Sequence, residues 1–143
     1  MVYGGSVRVL LVEGDPTCRR SLTYALLDRG FEVSVTESPR AALATLAVVQ
    51  PDVIVLDASI KEMSASGFVS AQQSRPEVRA IPVLATLASP FAGVDECASV
   101  SVLARPFTPD ELATAVRALL GYDERPQVGW QEDPAAQEED PAV

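Results

Sequence analysis

The chain has 143 residues, 48% of them apolar, and a net charge of −9 with no histidine; that length suits one core rather than two. Without imidazole, histidine metal sites, Ser-His triads and a histidine phosphocarrier role are excluded. Lys61 is the sole lysine, and seven acids against one arginine lie beyond Gly121. This charge argues against nucleic acid as a direct partner, since phosphate backbones reward clustered basic side chains.

In chain order, residues 1–6 read as a flexible start and Val7–Val12 (VRVLLV) as a first strand. Asp15 then caps a helix with Pro16 at its first position, running to Arg29 with Gly30 as its left-handed stop and Leu22, Leu26 and Leu27 on one face. Phe31–Thr36 alternates apolar and polar residues, which suits an edge strand. Ser38 and Pro39 repeat the cap-plus-proline device for a second helix ending before Pro51.

Pro51–Asp57 (PDVIVLD) is a β-branched run that predicts a strand buried on both faces. A polar loop with Ser64, Ala65, Ser66 and Gly67 leads to a third helix over about Phe68–Ser74, and Ile81–Thr86 is the fourth strand. A weak fourth helix is expected over Ser89–Ala98, then a fifth strand over Val100–Ala104. Thr108, Pro109, Asp110 and Glu111 form a capping box opening a fifth helix that stops at Gly121. Residues 122–143 read as an acidic disordered tail in which Trp130 is the one large apolar group. Five strand-helix repeats predict an α/β doubly wound parallel sheet with helices on both faces over 7–121.

Cys18 and Cys97 are isolated thiols without CxxC or zinc-ligand spacing, read as small hydrophobes in a reducing compartment. Apolar runs of only a few residues, and a start lacking a basic n-region and a long h-region, point to a cytoplasmic chain with no membrane partner. No GxGxxG or P-loop supports nucleotide binding. Asp57 is the leading site candidate, because ligands of open α/β sheets bind at the carboxyl ends of the strands.

VRVLLVEGDP, PDVIVLD and ARPF at these separations resemble the response-regulator receiver domain of two-component signalling, over roughly Val7–Leu120. The resemblance implies a flavodoxin-like five-stranded sheet of order 2-1-3-4-5, Asp57 as phosphoacceptor, and magnesium held by the acids after strand one. Glu13 takes the first acidic position but Gly14 replaces the second, usually a direct metal ligand, so a weakened site of Glu13 and Asp57 is implied. Asp15 matches an extra acid of many receivers; alternation aims it away from Glu13, and it serves as a helix cap.

Arg105 replaces the phosphate-contacting lysine, keeping the charge on a planar fork, and a standing salt bridge to Asp57 or Glu13 is expected. The hydroxyl position after strand four falls on Leu87, one residue beyond Thr86, which is expected to point to the opposite face. The aromatic switch position carries Val102, the usual proline after the phosphoacceptor is Lys61, and the loop before Gly67 is two residues longer.

The resemblance implies an atypical stand-alone receiver, a phosphoacceptor or binding domain rather than an enzyme, with a histidine kinase or other signalling protein as partner. A homodimer through the face of the fourth and fifth predicted helices is a further implied contact. The alternative is a phosphorylation-independent pseudo-receiver interaction module. A haloacid-dehalogenase-like phosphotransferase is a third reading, opposed by Ser59 where its second acid would stand.

Overall fold

The computed structural model describes residues 6–88 and 100–121. Five strands, β1 (Arg8–Val12), β2 (Glu32–Thr36), β3 (Val53–Asp57), β4 (Val83–Leu87) and β5 (Val100–Ala104), form one sheet. Its order is β2-β1-β3-β4-β5 and every pairing is parallel. The described helices are α1 (Pro16–Leu27), α2 (Pro39–Val49), α3 (Ala65–Gln73) and α4 (Pro109–Leu119). The expected tail, with Trp130, the helix over Ser89–Ala98 and Cys97 lie outside the described residues.

Alternation along the strands sorts the core into two layers. Leu10, Val12, Ile54, Leu56, Val83, Ala85 and Leu87 face α2 and α3, where Leu46 and Phe68 are fully buried. Val9, Leu11, Val53, Val55 and Leu84 face α1 and α4, against Leu22, Leu26, Leu112 and Val116. Each buried Leu, Ile, Val or Phe contributes roughly 1.5–3 kcal/mol, against about 1 kcal/mol for a helix cap. Packing therefore holds the sheet, and the caps set where helices begin.

Those caps follow the expected residues. Asp15 Oδ2 accepts from Cys18 N at 2.8 Å, Ser38 Oγ from Ala41 N at 3.1 Å, and Thr108 with Glu111 completes the capping box. Three details differ from expectation. Leu27 is 48% exposed, because one residue beyond Leu26 turns the side chain about 100° away from the buried stripe. The third helix starts at Ala65, since Ser64 Oγ accepts from Gly67 N at 3.0 Å and acts as a cap rather than as loop. The fourth strand runs Val83–Leu87; its lead-in is pinned by buried Gln72, whose Nε2 donates to Val78 O and Ile81 O at 2.9 and 2.8 Å.

Candidate functional site

Strand parity assembles the site. Asp57 shares the face of Val53 and Val55, on the α1 and α4 side, and is paired in register with Thr86 of β4. Glu13 continues β1 by one residue, its N–H donating to Thr36 O at 3.1 Å, and keeps the parity of Val9 and Leu11. Arg105 follows β5, tied by its N–H to Leu87 O at 2.8 Å, and precedes a cis Arg105–Pro106 peptide. Four side chains from four segments thus meet at the carboxyl edge of the sheet.

Arg105 is the hub. Its Nη2 donates to Glu13 Oε1 at 2.9 Å and to Thr86 Oγ1 at 3.1 Å, its Nη1 lies 3.5 Å from Cys18 Sγ, and the guanidinium sits 5.6 Å from the Phe107 ring centroid. The second Glu13 oxygen accepts from Asp15 N at 3.2 Å. Asp57 Oδ1 accepts from Ser59 N at 3.0 Å and from Ser59 Oγ at 2.7 Å, an Asx turn that fixes the carboxylate plane. The standing salt bridge expected for Arg105 is made to Glu13.

Burial makes these charges consequential. Glu13 is 2% exposed and Asp57 8%, while the Arg105 side chain remains a quarter exposed. Removal from water raises the Glu13 pKa, and the hydrogen bond and charge of Asp57 raise it further, outweighing the Asp15 N–H and Arg105. Burial opposes the charge on Arg105, but Glu13 and Asp57 outweigh it and hold the guanidinium ionised. Both directions describe one arrangement, two buried carboxyl groups facing one guanidinium. Burial likewise pushes the Cys18 thiol up.

Thr86 corrects the sequence reading. The spacing had its hydroxyl facing away from the pocket, yet it is 1% exposed and bonded to Arg105. The strand register decides this: Thr86 lies level with Asp57, whereas Leu87 packs in the opposite core layer with Leu56 and Ala85. Ser59 and Cys18, to which the sequence assigns no site role, are also at the site. Counting parity back along Leu84 and Val55 would have found Thr86; the Ser59 contact depends on a turn that spacing does not encode. Val102 is 46% exposed, so β5 presents no aromatic side chain to the pocket at that position.

A divalent cation of the magnesium type prefers about six oxygens in a near-octahedral shell. Glu13 and Asp57 are brought together, but Gly14 contributes no side-chain oxygen, and Asp15 turns its carboxylate to Cys18 N. Both Glu13 oxygens and one Asp57 oxygen already accept hydrogen bonds. Among the described residues, no group of three His, Cys, Asp or Glu side chains is positioned to hold a metal ion. The donor set therefore does not fit magnesium well. A cleft of about 320 Å³ lies on the α1 side of Arg105, lined by Thr17, Cys18, Ser21, Leu22, Pro106 and Phe107.

The family model for the response regulator receiver domain matches residues 9–117. The response regulator MprA of Mycolicibacterium vanbaalenii is 32% identical over 119 residues, covering 80% of this chain and 50% of that protein. The chain thus spans about half the length of that relative. The signal receiver domain of a histidine kinase from Syntrophus aciditrophicus superposes with a TM-score of 0.70 at 26% identity, over 84% of this chain and 94% of that one. The receiver domain of sensor histidine kinase PA1611 from Pseudomonas aeruginosa, solved with magnesium in its active-site cleft, gives 0.71 at 18% identity, over 82% and 100%. No described helix is long and apolar enough to cross a membrane.

Proposed function

The chain belongs to the response regulator receiver domain family of two-component signalling, and on that premise we propose that Asp57 accepts a phosphoryl group from a histidine kinase or other signalling protein. The observation that carries this reading is the position of Asp57: the end of the central strand, level with Thr86 and beside the Glu13–Arg105 pair. A carboxylate is a weak nucleophile, and phosphoryl transfer is catalysed mainly by positioning and by neutralising charge on the equatorial oxygens. Ser59 holds Oδ1, which leaves the second Asp57 oxygen to attack phosphorus. Arg105 supplies a cation on the same side of the sheet, and the Thr86 hydroxyl can donate to a phosphoryl oxygen.

In this reading the chain is an atypical receiver, acting through protein contacts as a signalling module in the cytoplasm, with magnesium affinity weakened by Gly14. Self-association through the fourth and fifth predicted helices remains part of the proposal. Treating the protein with phosphoramidate and following its intact mass tests the acceptor role. Incorporation of one phosphoryl group, lost in Asp57→Asn, is the expected outcome; no incorporation under any condition contradicts it.

A second reading is favoured by one specific feature. A standing cation, Arg105, already sits in the pocket bonded to Glu13, and Val102 stands where the resemblance assigns the aromatic switch residue. A pseudo-receiver so built binds its partner without phosphate, and the chain then shows an unchanged partner affinity after Asp57→Asn.

A further inference from the structure

We infer that the phosphoryl group is accepted at Asp57 without a divalent cation, with the Arg105 guanidinium in the role that a metal plays elsewhere. The inference rests on Asp57 being the acceptor. Two features of the pocket carry it. One is the donor set: Gly14 supplies no carboxylate, and the oxygens of Glu13 are already engaged by Arg105 Nη2 and Asp15 N. Glycine at 14 is no steric necessity. A Cβ there would meet Glu37 O at 3.7 Å and Ile60 Cγ1 at 3.8 Å, ordinary contacts that leave room for a side chain.

The other is where the cation sits. Arg105 Nη2 bridges Glu13 and Thr86, and Thr86 is the register partner of Asp57, so the fixed charge lies beside the acceptor. A metal in the same space would meet the guanidinium that Glu13 and Thr86 already hold there. Nη1 makes only a long 3.5 Å contact to Cys18 Sγ among the described residues, so it can turn to a phosphoryl oxygen while Nη2 keeps Glu13. The planar group thus offers one charge-assisted hydrogen bond from Nη1 to a phosphoryl oxygen while its other end stays on Glu13.

The step balances without further reactants. The Asp57 oxygen not held by Ser59 forms a bond to phosphorus as the P–N bond of a phosphohistidine, or of phosphoramidate, breaks. The electron pair leaves with nitrogen, which takes a proton from solvent.

The full chain is incubated with phosphoramidate in EDTA and, separately, in millimolar magnesium, and intact mass is followed with time. Incorporation rates within about twofold of each other are expected, with Arg105→Lys slower by about tenfold in both because a compact ammonium does not span Glu13 and a phosphoryl oxygen as the planar guanidinium does. Incorporation in magnesium but not in EDTA overturns the metal-free inference and leaves Asp57 as the acceptor. No incorporation in either overturns both. Because Arg105→Lys keeps a cation near Glu13, a rate in that variant equal to the parent, with folding verified by circular dichroism, also overturns the role of Arg105. A magnesium titration of the parent followed by the Asp57 and Gly14 amide signals gives a readout free of chemistry: no saturable shift is expected, and saturation in the millimolar range contradicts the inference.

Discussion

The two halves of the pocket are built in opposite ways. On the β1 and β3 side, Glu13 follows and Asp57 ends a buried strand whose apolar run fixes its direction. On the β4 and β5 side, Arg105 stands at the cation position of the family motif, whereas the hydroxyl comes from Thr86, one residue before the position that the spacing assigns to it. Arg105 crosses from the second half to the first through its 2.9 Å bond to Glu13. Strand register, more than motif spacing, decides which side chains share a pocket, because a shift of one residue moves a side chain to the other face.

The largest effect expected from cutting this link comes from Arg105→Ala. It leaves a nearly inaccessible Glu13 without its cation, and loss of one partner of a buried pair costs about 3 kcal/mol. Urea unfolding at pH 7 measures this, and a loss below about 0.5 kcal/mol shows that the bridge adds little. Leu87→Thr comes next. Its hydroxyl enters the apolar layer of Leu56 and Ala85, so a destabilisation of about 2 kcal/mol without faster phosphoryl incorporation is expected. Faster incorporation instead would place residue 87, and not Thr86, at the pocket.

Gly14→Asp restores a missing oxygen donor in a position with room for it, and an increase in magnesium affinity of at least about tenfold is expected, equivalent to about 1.4 kcal/mol. Calorimetric titration beside the parent decides it; an unchanged affinity shows that Arg105, not Gly14, sets the metal response. The smallest effect is in pH dependence. The Glu13 pKa is raised above its ordinary 4.5, so the folded state holds a proton that the unfolded chain releases. That contribution is complete below pH 4.5 and is lost as pH rises through the folded-state value. In metal-free buffer the parent should therefore lose stability relative to Glu13→Gln over this interval, and parallel curves would refute the assignment.

Much of this architecture is legible in the residues. Alternating apolar runs, proline-led caps and the abrupt acid after Val55 and Leu56 place the five strands, the sheet edge and Asp57, since burial and capping act locally. A salt bridge from Arg105 to Asp57 or Glu13 follows from the sequence, and the structure makes it to Glu13. The start of α3 was missed because Ser64, a cap, reads in sequence like any loop serine. Thr86 was missed for a different reason: its facing depends on pairing with β3, a contact between distant segments that no local spacing records.

The central claim, that Arg105 pairs with buried Glu13 where a metal would otherwise sit, is tested most directly by a double-mutant cycle on Glu13→Gln and Arg105→Ala in EDTA at pH 7. A coupling free energy of at least about 1 kcal/mol between the two positions is predicted. Additive losses, with coupling indistinguishable from zero, would contradict it.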